Sequence, residues 1–116
     1  MSRSVGNSLL NRMRILRNWH VIADRVAGIV SQRIPSVEVY AFGSIVEGKV
    51  TGASDIDLLI AVPDDHDELE AYIELSKMLE EQLGSTAYIV DLHVVCKNNI
   101  DKPPYKWWLG KSIRIL

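Results

Sequence analysis

Apolar residues recur at spacings near three and four from Leu9 through Met13, Leu16, Ala23 and Val26 to Val30. That period predicts one amphipathic helix over residues 8–33. Arg12, Arg14, Arg17, Arg25 and Arg33 fall mostly off the stripe. Asn7 or Ser8 offers an N-cap, and Ile34 before Pro35 marks the end. The pattern then shortens. VEVYAF (37–42) reads as a strand. SDIDLLIAV (54–62) is apolar throughout after Asp57, as in a strand covered on both faces. TAYIVDLHVVC (86–96) reads as a third strand. Between the last two, a helix over 66–82 places Leu69, Tyr72, Ile73, Ser76, Leu79 and Leu83 on one side. Asp65 and Glu68 are spaced as a capping box, and Gly84 terminates the helix. The tail breaks at Pro103-Pro104, then offers Tyr105, Trp107 and Trp108 on a short helix.

This order of elements predicts an α+β domain, with a small central mixed sheet and helices packed on one face. The 116 residues suffice for one domain, 1–116, with its motif core at about 37–96. The net charge of −2 gives no global field for a polyanion. Locally, residues 1–37 carry six Arg against one Asp, and residues 63–82 carry eight acidic groups against one Lys. Solvated helix faces produce such runs; contact of the first helix with RNA or an acidic partner is the sharper alternative. The single cysteine, Cys96, excludes an intrachain disulfide and reads as a small buried hydrophobe. No apolar run is long enough to span a membrane, and the first residues lack an apolar signal core. The expectation is a soluble cytoplasmic protein.

The candidate chemistry begins with Asp55 and Asp57, one residue apart at the head of an apolar strand. Side chains alternate along a strand, so the two carboxylates share a face, about 7 Å apart. Two like charges at such a place repel each other and oppose folding. A divalent cation removes that penalty, and hard oxygen donors suit Mg²⁺. Asp91, on the same face of its strand as His93, can join them if the strands 54–62 and 86–96 are neighbours. Three convergent carboxylates can hold two metal ions, as in phosphoryl or nucleotidyl transfer. Taken singly, Asp55 reads as a turn residue, Asp57 as a paired surface residue, and Asp91 as part of a half-exposed strand.

Gly43-Ser44 follows the first strand and opens a short helix, Ser44 to about Glu47, closed by Gly48. Glycine admits a ligand close to the backbone. Amides at a helix start favour phosphate, and the Ser44 hydroxyl adds a donor. Such a turn is weak evidence alone and informative beside Asp55-Ile56-Asp57.

Together, Gly43-Ser44, Gly48 and Ser54-Asp55-Ile56-Asp57-Leu58 resemble the signature of the minimal nucleotidyltransferases, small members of the DNA polymerase beta superfamily. The resemblance in element order covers about residues 20–96. It implies a nucleotidyltransferase fold and the transfer of a nucleoside monophosphate, AMP in first place, from an NTP to an acceptor hydroxyl. It further implies that Gly43 and Ser44 hold the triphosphate, and that Asp55 and Asp57 ligate Mg²⁺, two ions in all. Asp91 would be the third carboxylate, which helps activate the attacking hydroxyl. One departure is the turn itself. Many members carry an Arg there, whereas this chain has Ile45, Val46 and Glu47, with Lys49 as the nearest cation. The length leaves no residues for a second helical domain, so a homodimer or a HEPN-type helical partner is expected to complete the site. Such a partner is a toxin-like ribonuclease that some members modify with AMP.

Two other readings stand beside this one. In the first, the chain is an antitoxin-type module of little or no activity that masks a HEPN-type partner; Glu47 in the phosphate turn favours it. In the second, remote, it is a plain metal-binding domain. His93 either lines the site or is a satisfied structural histidine. His20 and His66 have no zinc-ligand spacing. Tyr105, Trp107 and Trp108 are expected in the core or at an interface rather than stacked on a base.

Overall fold

A computed structural model describes residues 2–116. Helices α1 (Ser2–Arg17) and α2 (Trp19–Arg33) lead into strand β1 (Glu38–Phe42) and the short helix α3 (Ser44–Glu47). Strand β2 (Ile56–Val62), helix α4 (Glu68–Leu83) and strand β3 (Val90–Cys96) follow, then helix α5 (Tyr105–Leu109) and strand β4 (Ile113–Arg114). The four strands form one mixed sheet in the order β3-β2-β1-β4. β1 runs antiparallel to β2 and β4, whereas β2 and β3 are parallel, with α4 as their crossover. The predicted α+β architecture with a mixed sheet is the observed one, but the helices are not confined to one face, since α5 packs on the face opposite α1, α2 and α4.

Four local expectations are corrected. The stripe read as one helix is two, broken at Asn18, whose side-chain amide donates to the Arg14 carbonyl. An Asn that bonds to nearby backbone competes with the helical ladder. Both Leu16 and Trp19, on either side of the break, are buried. Helix α4 starts later than predicted, because Asp67 rather than Asp65 caps it, accepting from the Glu70 amide. Its buried seam is Ala71, Leu75, Leu79 and Leu83, so Leu69, Tyr72 and Ile73 of the predicted stripe are exposed. The small Ala71 sits where the helix meets its neighbours, and the bulkier residues lie one step around. The third strand begins at Val90, because Gly84–Ile89 forms a 3₁₀ turn entered through Gly84 at φ 59°. Finally, the tail returns to the sheet as β4, and the Val39 amide donates to the Leu116 carbonyl.

The strands alternate between two faces. Val39, Ala41, Ile56, Leu58, Ile60, Val62 and Leu92 point into the main core, with Leu16, Val26 and Val30 from the first helices and Leu75 from α4. The opposite face holds a smaller cluster, Phe42, Leu59 and Val95, covered by Tyr105, Trp108 and Leu109 of α5 and by Ile100. Trp108 therefore lies in this second core as expected, whereas Trp107 is exposed.

Candidate active site

Asp57 lies in β2 on the face of the second cluster, and it faces Asp91 across the parallel β2–β3 pair. Register settles this juxtaposition: Leu59 faces His93 and Ala61 faces Val95, so one face of β2 is matched to one face of β3. Asp57 is partly buried. Asp91, in the edge strand, is about half exposed. His93 stands on the same face, its Nε2 3.3 Å from Asp91 Oδ2 and 3.9 Å from Asp57 Oδ1. The ring is tilted against Phe42 and Trp108, at centroid distances of 5.4 and 4.9 Å.

These groups perturb one another. The Asp57 carboxylate, and then the charge of Asp91, lift the His93 pKa above the usual imidazole value against the opposing effect of burial. Burial lifts Asp91 above the usual carboxylate range; His93 opposes this, and the charges of Asp57 and Asp55 add to it.

Asp55 has a partner that the sequence did not indicate. It stands just before β2, after a turn in which the Ser54 hydroxyl accepts from the Thr51 amide. Arg12 of α1 binds the Asp55 carboxylate at 2.8 Å and also donates to the carbonyls of Gly52 and Ser54. Among the described residues, the side chains at mutual ligating distance are Asp57, Asp91 and His93. The structure thus brings Asp57 and Asp91 together and ties Asp55 to Arg12, although the charge of Asp55 still reaches Asp91.

The Gly43-Ser44 turn adjoins this cluster. Gly43 caps α3 at φ 83°, a conformation L side chains rarely adopt. A Cβ at this position would also collide with the Asp57 carboxylate. The glycine is therefore required twice, once by its own backbone and once by the acid packed over it. Gly48, at φ 73°, closes the short helix as expected. Glu47 lies 3.7 Å from Lys111 of the tail, which offsets part of its charge.

The donor set fits a divalent cation. Two carboxylates from adjacent strands and an imidazole converge on one half-open place, where unrelieved like charge would otherwise weigh against folding. Two participants were not singled out as site residues in the sequence. Arg12 is indistinguishable by pattern from the other arginines of a solvated helix. His93 carried a usable signal, since it lies two residues after Asp91 and so on the same strand face.

Comparisons with known proteins give the chain's family and fold. Residues 23–113 match the family described as the nucleotidyltransferase domain. No curated protein sequence matches the chain. A crystal structure of a candidate nucleotidyltransferase from Sulfolobus solfataricus is similar in fold, with a TM-score of 0.61 and 22% identity over 92% of this chain and 85% of that one. The matched region contains both the Gly43-Ser44 turn and the three aspartates, and the chain belongs to the nucleotidyltransferase domain family.

Proposed function

We propose that this transferase moves a nucleoside monophosphate, AMP in first place, from an NTP to an acceptor hydroxyl, with a divalent cation held by Asp57 and Asp91. The observation that carries the reading is the cross-strand pairing of these two acids directly over Gly43. When bound, the cation supplies charge neutralisation to the phosphates and to the attacking oxygen. The rest falls to the chain. Gly43 lets the Asp57 carboxylate pack directly over the turn, and the Ser44 hydroxyl donates to a phosphate beside it. Asp55 joins the ligand set once Arg12 releases it, which makes room for a second ion. Arg12, so released, is a cation close to the phosphates, in the role the turn itself leaves unfilled.

Asp91 accepts the proton of the acceptor hydroxyl. Burial, with the charges of Asp57 and Asp55 beside it, raises its pKa and makes it a stronger base than an ordinary carboxylate. A cleft of about 230 Å³ lies between α4 and β3, lined by Tyr72, Ser76, Tyr88 and Leu92 among others, with Asp91 part of its wall. It is the route by which an acceptor reaches that carboxylate. The test is release of pyrophosphate from each NTP with the wild type, Asp57→Asn and Asp91→Asn. Release lost in both variants, with folding retained, supports the reading. Full activity in Asp57→Asn sinks it.

A second reading is favoured by the exposed Leu69, Tyr72 and Ile73 of α4 and by Tyr88 beside them. In it the chain clasps a HEPN-type helical partner and masks it, with or without modifying it. It requires a complex that survives Asp55→Asn/Asp57→Asn. Dissociation of that complex in the double variant rejects masking as sufficient.

A further inference from the structure

The imidazole beside the two acids bears on which cation the site accepts. Asp57, Asp91 and His93 each present a donor atom within 4.8 Å of the other two. Donors about 2.1 Å from one octahedral ion lie about 3.0 Å apart when adjacent and about 4.2 Å apart when opposite. The separations of His93 Nε2 from the two carboxylates, 3.3 and 3.9 Å, fall between these limits. The ring is also held in place. Phe42 and Trp108 flank it, and Trp108 is itself stacked on Phe42 at 4.9 Å with their planes 9° apart. The nitrogen is therefore presented to the acids by a packed aromatic cluster rather than by a free side chain, which lowers the ordering penalty of ligation.

Mg²⁺ is served by oxygen donors, whereas imidazole nitrogen is a good donor to first-row transition ions. We propose that His93 Nε2 is a nitrogen ligand of this centre, which makes the site selective for a transition cation, Mn²⁺ in phosphate chemistry, over Mg²⁺. The inference rests on the assignment of Asp57 and Asp91 as metal ligands in the proposed function. It does not depend on the transfer reaction itself.

The test is electron paramagnetic resonance of Mn²⁺ added to the metal-free full-length chain, read by nitrogen couplings and by competition with Mg²⁺. Three results are expected. A ¹⁴N coupling appears and converts to ¹⁵N on histidine labelling. Mg²⁺ displaces Mn²⁺ only at more than about a tenfold higher concentration than equal affinity would need. His93→Gln removes the coupling and brings the two affinities together, while its Mg²⁺ affinity changes little. Mn²⁺ bound without a histidine nitrogen coupling in the wild type overturns the proposal whatever the variant does. An unchanged Mn²⁺ to Mg²⁺ ratio in a folded His93→Gln also overturns it. A histidine-coupled Mn²⁺ spectrum that no NTP alters supports this inference while the transfer reading fails. Absence of Mn²⁺ binding overturns this inference, and the transfer reading then stands or falls on pyrophosphate release under Mg²⁺.

Discussion

The two faces of this sheet are built from alternate residues of the same strands, yet they become different environments. On one face Ile56, Leu58, Ile60 and Val62 of β2 are sealed under helices from both halves of the chain. On the other, Leu59 is fully buried, but its neighbour two residues earlier is Asp57, only partly covered beside Asp91 and His93. The cover there is the short α5, whose Tyr105 and Trp108 close the inner part of the face. The outer part, near the start of β2 and β3, stays open. The difference lies in what covers the strands rather than in the strands themselves. A long amphipathic helix can shut a whole face, whereas a helix of five residues covers half of one and leaves room for chemistry.

Four substitutions and one change of condition probe that division, the largest effect first. Asp57→Asn should lower nucleotidyl transfer about a thousandfold or more, equivalent to about 4 kcal/mol of transition-state stabilisation. It should leave thermal stability unchanged or raised, because one of two facing like charges is gone. Leu58→Ala, one residue along and on the sealed face, should do the reverse. Urea unfolding should show a loss of about 2–5 kcal/mol, with transfer per folded molecule intact. If the two variants showed the same balance of activity and stability losses, the faces would not be functionally distinct.

Gly43→Ala sharpens the boundary between them. It meets both a positive φ and the Asp57 carboxylate, so it should lose about 1–3 kcal/mol of stability together with metal affinity. A loss of stability with normal metal binding would show that the glycine serves the turn alone. Arg12→Ala removes a partly exposed ion pair and should cost only about 1 kcal/mol or less in denaturant unfolding. By freeing Asp55 it should tighten divalent-cation binding; weakened binding would show that Arg12 orders the carboxylate for the metal instead.

The smallest effect concerns pH. In chelator, folded His93 holds its proton more tightly than the unfolded chain does. This stabilisation is complete below the ordinary imidazole pKa and is lost as pH rises through the elevated one. The raised Asp91 acts in the same direction at lower pH. The melting temperature of the metal-free protein should therefore fall modestly from about pH 6 to about pH 8, and less in Asp57→Asn. A rise over that interval would contradict the geometry around His93.

Much of this was legible in the residues. The shared face of Asp57, Asp91 and His93 could be read from DIDLLIAV and IVDLHVV, because a side chain's face depends only on its parity once the strand is right. The Gly43-Ser44 turn with Gly48 was equally readable, since positive φ at a glycine leaves a local mark. What escaped depends on tertiary partners. The break at Asn18 carries neither Pro nor Gly. The burial of Ala71 in place of Tyr72 reflects the closeness of α4 to its neighbours rather than its own hydrophobicity. The pairing of Arg12 with Asp55 joins residues 43 positions apart, which no local period encodes. The four C-terminal residues from Ile113 bond to β1 although their sequence shows no long strand. Asp55 is the instructive case. It stands one residue before the ladder begins, and an arginine from the first helix holds the acid there.

The central claim is that the open face is a cation and nucleotide site built around Asp57 and Asp91. Its most direct test is calorimetric titration of ATP into the full-length chain in the presence of Mg²⁺ or Mn²⁺, in chelator, and into Asp57→Asn. Metal-dependent binding in the micromolar range, absent in chelator and lost in the variant, is the predicted result. ATP binding of equal strength in chelator or in Asp57→Asn would contradict the account.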